Sequence, residues 1–154
     1  MIEPKSSSGG VTCCLITVPR LEAPEFEALS YTWGNEMPRH HIRCRDGPSM
    51  LCVTETCASA LRRLQYSDRE RVLWIDAICI NQDDTEERNI QVRHMPHIYS
   101  SCVRVVVDLG EGTEDSDLAM LFISSENFQH IGTTVRLAVA TILRRSWFER
   151  VWVI

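Results

Sequence analysis

No stretch of this 154-residue chain approaches the roughly 20 consecutive apolar residues that a membrane-spanning helix requires. Net charge is also small: 16 Lys and Arg against 21 Asp and Glu leave −5, too weak a field to draw nucleic acid or an acidic membrane surface. The basic residues are scattered, as at Arg62-Arg63, Arg69/Arg71 and Arg144-Arg145, which places them on solvated helix faces and ends. No strand is followed by G-x-G-x-x-G and there is no Walker loop, so the ordinary nucleotide-binding signatures are missing. Among seven cysteines there is no C-x-x-C pair. An odd number of thiols embedded in apolar patterns predicts reduced, buried cysteines, with no metal site. The opening MIEPKSSSGG has no apolar core of signal-peptide length. These absences together predict a cytoplasmic protein with no membrane segment, in a compartment where disulfides are unusual.

What is present is an ordinary globular composition, 44% hydrophobic and 24% charged, enough for one domain with a core. Residues 1–24 read as a flexible lead-in with an edge strand at Val11 to Val18 stopped by Pro19, and residues 25–154 as the domain proper. Phe26 to Trp33 predicts a strand, and the runs at Ile42 and Leu51 around Arg-Asp-Gly-Pro predict a hairpin. Thr54 is placed to cap a helix with Cys57, Ala58, Leu61 and Leu64 on its inner face. Asp84 and Glu87 have capping-box spacing before a helix in which Pro96 predicts a kink. Val103 to Asp108 predicts a third strand, followed by helices at Ser116 to Glu126 and Thr134 to Arg144 and a capping box at Ser146 to Glu149. Strands alternating with helices give an α/β fold with a mainly parallel sheet flanked by helices. The closing RVWVI is apolar surface that needs cover, so the domain is expected to continue beyond Ile154.

The most informative stretch is LWIDAICINQDD at 73–84, where one carboxylate interrupts an apolar run. Read as a strand from Val72 to Ile80 buried on both faces, it leaves Asp76 near the carboxyl end, where open α/β sheets bind ligands. A buried carboxylate needs donors. They come either from the amides of the loop Asn81 to Asp84, which is the preferred reading, or from a bound ligand. Arg88 could pair with Asp76, bind a phosphate at the helix N-terminus, or stand exposed in the first turn. Glu87 reads as a capping residue and Gln91 as a loop-facing hydrogen-bonder. Tyr31 and Trp33 end the first strand, where rings either hold a flat base or complete the core. His94 and His97 lack a third ligand at metal spacing, His40-His41 is a weaker case, and Cys79 has no local base to make it a nucleophile.

In order along the chain, ALSYTWGN at 28–35, LWIDAICINQDD at 73–84, ER at 87–88, QV at 91–92, IY at 98–99, DLG at 108–110 and RSWFERVWVI at 145–154 closely resemble the heterokaryon-incompatibility (HET) domain of filamentous fungi. The motif residues are Tyr31, Trp33, Gly34, Asp76, Asn81, Gln82, Glu87, Arg88, Gln91, Tyr99, Trp147, Arg150 and Trp152. The resemblance implies a signalling module that induces cell death on fusion of incompatible cells, acting through self-association or docking to protein partners. The family is distantly similar to Toll/interleukin-receptor (TIR) domains, which implies a flavodoxin-like sheet. Some TIR domains cleave NAD with a glutamate on the last helix, so the alternatives are an NAD glycohydrolase, with Asp76 as its tentative catalytic residue and NAD as substrate, or an inactive fragment. No bound cofactor is expected. The chain departs from the family pattern at Asp108, where an aromatic is usual, at Pro96, and in lacking the Gln-Glu that follows RVWVI.

Overall fold

The structure is a computed structural model, and it describes residues 1–6, 9–34, 37, 39–46, 50–126 and 131–150. The chain divides into two compact units, Met1–Asp108 and Leu109–Ile154.

The first unit holds two three-stranded sheets. In one, β1 (Thr12–Cys13) pairs parallel with β3 (His40–Cys44), which pairs antiparallel with β4 (Met50–Val53). This is the predicted hairpin, and the edge strand expected over Val11 to Val18 is only Thr12–Cys13. In the other, β2 (Glu27–Tyr31) lies between β5 (Leu73–Trp74) and β6 (Arg104–Asp108), all parallel. Numbered by their order in the chain, the three parallel strands run 2-1-3, the arrangement that begins a flavodoxin-like sheet. The fold is thus α/β, as expected.

Helix α1 (Glu55–Leu64) starts where predicted, with the Thr54 hydroxyl accepting from the Cys57 amide at 3.3 Å. Cys57, Ala58 and Leu61 then fall on one face and are buried against Leu29, Tyr31, Ile42 and Ile75. Ile2 joins this core at 4% exposure, bridging both Cys13 and Arg71. The polar composition of the lead-in hid this. Met1 to Ser6 are held by the Lys5 amide donating to the Tyr66 carbonyl and by Gln65 donating to the Glu3 carbonyl.

The strand expected over Val72 to Ile80 is much shorter. β5 ends at Trp74, and Asp76 opens a single helical turn, α2 (Asp76–Cys79). The Ile75 carbonyl accepts from both Ile78 and Cys79. An Asp at the start of a turn takes the free amide beside it, which competes with the sheet ladder. Helix α3 (Thr85–Ser101) begins at the predicted Asp84 cap and runs through Pro96 unbroken. Its stripe at Val92, Met95, Ile98 and Tyr99 is only partly covered, Val92 being 52% exposed.

In the second unit, α4 (Glu114–Ser124) carries a Thr113–Ser116 capping box and packs on α5 (Thr133–Leu143) around Ala119, Ala138 and Ile142. The small residues let the two backbones approach closely. The capping box expected at Ser146 and Glu149 is not formed: Ser146–Glu149 is a 3-10 turn preceded by Arg145, with no side-chain cap. No helix among the described residues is long and apolar enough to cross a membrane.

All seven cysteines are free thiols, as the spacing predicted, but not all are buried: Cys52 is exposed, Cys79 is exposed as a residue although its sulfur is tucked against the Ile75 amide, and Cys102 is half-buried. Burial, reinforced by the neighbouring Cys44, pushes the Cys13 thiol up to about 12, and burial pushes Cys57 up to about 11. A raised thiol pKa means the folded state holds its proton longer than the unfolded state, whose value is 9.0. The stability this contributes is complete below that value and is lost as pH climbs through it toward 11 and 12. Urea midpoints should therefore fall between about pH 8 and about pH 10.5. Replacing Cys57 with Ala should flatten that slope.

Candidate functional site

The parallel strands β2 and β5 deliver their carboxyl ends to one edge, and there Trp33 meets Asp76. The Trp33 indole N–H donates to both carboxylate oxygens at 3.1 Å each. The same carboxylate accepts from the Ala77 amide at 2.8 Å. Asp76 is 9% exposed, so its charge is held by these donors rather than by bulk water. Its carboxylate is not the acceptor for the loop Asn81 to Asp84 that the sequence suggested. That loop is satisfied by others: the Asn81 amide donates to Glu87 Oε1 at 3.0 Å, and the Asp83 amide to Asn81 Oδ1 at 3.2 Å. Asp76 does bind the loop through its backbone, whose carbonyl accepts from Gln82 Nε2 at 2.9 Å.

Glu87 caps α3 less locally than a capping box would have it. Asp84 accepts from the Glu86 and Glu87 amides, while the Glu87 carboxylate reaches back past Asp84 to Asn81. Arg88 donates to the Gln82 carbonyl at 3.4 Å, and Trp33 holds the place at Asp76 that the sequence offered to Arg88. Gln91 lies half-buried on α3. Tyr99 spans the sheet face, its hydroxyl donating to the Leu29 carbonyl at 3.3 Å and its ring set edge-on to Trp74 at 5.7 Å.

Tyr31 is a core residue, 2% exposed and packed in the same cluster as Cys57, so it offers no face to a planar base. Gly34 turns the chain after Trp33 with φ +73°, and a Cβ there would meet Thr56 Cγ2 at 3.4 Å. Gly34→Ala should cost about 1 kcal/mol from the left-handed backbone alone, which a thermal melt would read directly.

Trp147 and Arg150 belong to the second unit, where Trp147 stacks edge-on with Phe148 at 5.0 Å and its carbonyl accepts from the Arg150 amide at 3.4 Å. Trp152 and the rest of the closing RVWVI after Arg150 lie outside the described residues. His94 and His97 are exposed on α3, and among the described residues no group of three metal-ligating side chains comes together. The Cys79 sulfur accepts from the Ile75 amide at 3.4 Å and its thiol is pushed up by burial, the reverse of what activates a nucleophile.

Sequence reasoning missed three groups around this sheet. Thr56 donates to the Trp33 carbonyl at 2.7 Å and contacts the Thr54 hydroxyl at 2.9 Å, tying the start of α1 to the end of β2. Arg63 grips Asp108 with two bonds, 3.0 and 2.7 Å, so the acid that stands in place of an aromatic is paired. Glu27, at the opposite end of β2, is bound by both Arg71 and Arg104. A charged residue inside the apolar run FEALSYTW was the available signal for this last group.

The geometry matches the motif order, and comparison with known proteins accounts for it. The heterokaryon incompatibility protein (HET) family profile matches residues 26–154. The chain is similar to heterokaryon incompatibility protein 6, OR allele, of Neurospora crassa, with 42% identity over 119 residues, covering 70% of this chain and 18% of that protein. No solved structure matches. With most of its length inside the profile, this chain belongs to the heterokaryon incompatibility (HET) family.

Proposed function

We propose that this domain is a cytoplasmic signalling module of fungal heterokaryon incompatibility, triggering cell death on non-self contact through self-association or docking to a protein partner. The name of the Neurospora crassa relative supports the biological setting. The observation that carries the mode of action is the closure of Asp76 by Trp33 and Ala77. The sheet edge where a ligand would bind is spent on an internal lock, and a domain so built acts through its surfaces. Glycosidic cleavage of NAD needs a carboxylate held against the developing positive charge on the ribose, and Asp76 is already engaged.

Expression of the chain in a filamentous fungus should arrest growth, and the purified chain should release no nicotinamide from NAD above a no-protein control. Nicotinamide turnover that vanishes in Asp76→Asn would replace this reading with the enzymatic one. Growth at the normal rate, with the protein present at full length, would remove the signalling role.

A further inference from the structure

We propose that the groove between β1 and the residues leading into β5 is a binding site for an extended peptide strand. Met1 to Lys5 occupy it as a tethered ligand, and a protein partner docks by displacing them with a segment of the same apolar–acidic–proline chemistry. This deepens the docking reading above and rests on it for its biological meaning.

The segment is held along both edges, as a ligand strand is. On one side Met1 and Cys14 exchange two hydrogen bonds, at 2.8 and 2.9 Å, and the Glu3 amide donates to the Thr12 carbonyl at 2.9 Å. On the other side Ile2 and Arg71 exchange two, at 2.8 and 3.0 Å. Successive residues therefore turn their backbone groups to opposite neighbours, as antiparallel pairing on both sides requires. The bridges from Ile2 to Cys13 and to Arg71 make these few residues the strand through which the two sheets meet. Each neighbour has its own support besides, β1 from β3 and β5 from β2.

The side chains add a recognition pattern. Ile2, 4% exposed, is the anchor, in one cluster with Cys13, Leu61 and Ile75. Glu3 pairs with Arg45 at 2.7 Å. Pro4 has no amide to offer a ladder and ends the pairing. Gln65 is the clearest sign of a built site: it is a polar side chain only 7% exposed, and its amide group donates to the Glu3 carbonyl at 3.0 Å. Every partner named lies at Thr12 or later, so the tether SSSGG supplies none of this recognition. A cavity of about 30 Å³, lined in part by Met1, Leu15, Leu73 and Ile78, leaves the Met1 end less tightly packed, and displacement starts there.

Strand addition of this kind takes its affinity from main-chain hydrogen bonds and its specificity from alternate side chains. The tether keeps the resident segment at an effective concentration of order millimolar. A partner strand must therefore match the groove better or be presented at close range.

The test uses the full chain with a protease recognition sequence inserted between Gly9 and Gly10. After cleavage, an excess of a peptide of Met1 to Lys5, labelled on the exposed Lys5, should replace the cut segment, one per chain, as read by fluorescence anisotropy. The uncut chain should take it up roughly a hundredfold more weakly. Ile2→Ala in the peptide should weaken binding at least about thirtyfold, and Glu3→Lys about fivefold. An Arg45→Glu chain should reverse the preference and favour the Glu3→Lys peptide. Because the first two changes are made in the peptide, they leave the fold of the chain untouched.

A cut chain that unfolds, or one that stays folded but never exchanges its segment, overturns the proposal. Equal binding of the native and Ile2→Ala peptides overturns it as well. Failure of the signalling reading shows separately. An Arg45→Glu chain with reversed peptide preference that arrests growth as the native chain does leaves the groove standing and removes it from the docking mechanism.

Discussion

Replacing Glu27 with alanine is expected to destabilise the first unit by about 3–5 kcal/mol, the usual cost of leaving a buried charge without its partner. Glu27 is 8% exposed at the start of the central strand, and the Arg71 side chain it holds is 10% exposed. Arg71 is committed from several sides: it donates to the Leu64 carbonyl at 2.9 Å and its guanidinium lies 4.8 Å from the centre of the Tyr66 ring. It therefore has no exit to water when the carboxylate is removed. Arg104 is different, with a side chain 58% exposed, so its own loss should cost far less than the loss of Glu27. Urea denaturation of Glu27→Ala, Arg104→Ala and the double variant Glu27→Met/Arg71→Met would separate these terms. The double variant should recover most of the loss, because an apolar pair of similar volume replaces both charges. A Glu27→Ala loss under about 1 kcal/mol would mean that water reaches Arg71 and the cluster is not a buried one.

The helices and most of the strands were legible because each is signalled locally. Thr54 with Cys57, Ala58 and Leu61 specifies α1 by cap and spacing, and Asp84 opens α3 without help from the rest of the chain. Order in the first six residues was illegible because it depends on Ile2 meeting Cys13 and Arg71, partners that are distant in sequence. The length of β5 was misread for a different reason. A nearly apolar run of nine residues, Val72 to Ile80, suits a buried strand or a strand followed by a turn, and the deciding event is a short-range bond from the Ala77 amide to Asp76. The site was half legible. Asp76 stood out as a carboxylate in an apolar run, but its donor Trp33 lies 43 residues away, and only the parallel pairing of β2 with β5 brings the two together. Glu27 presented the same anomaly in its own strand and passed unread, because its partners Arg71 and Arg104 sit among other arginines that composition assigns to solvent.

Asp76→Ala is expected to cost about 2–4 kcal/mol, and Asp76→Asn about half of that. Alanine leaves two donors, the Trp33 indole N–H and the Ala77 amide, facing a void; each unsatisfied buried donor costs about 1–3 kcal/mol, reduced where water can enter. Trp33 is 38% exposed, so its share lies at the low end. Asparagine keeps one acceptor for one of these donors but brings an amide group with no acceptor in view, so it should fall between alanine and the native residue. Trp33→Phe removes the indole donor while keeping an aromatic ring, and on its own should cost about 1 kcal/mol. A double-mutant cycle with Asp76→Asn and Trp33→Phe isolates the pair, and a charge-assisted bond predicts coupling of about 1.5–3 kcal/mol. Thermal and urea melts of the four proteins supply every term. Coupling near zero with wild-type melting of Asp76→Ala would remove the structural lock. If growth arrest were lost in those same well-folded variants, Asp76 and Trp33 would be assigned to binding a ligand at the carboxyl edge of the sheet.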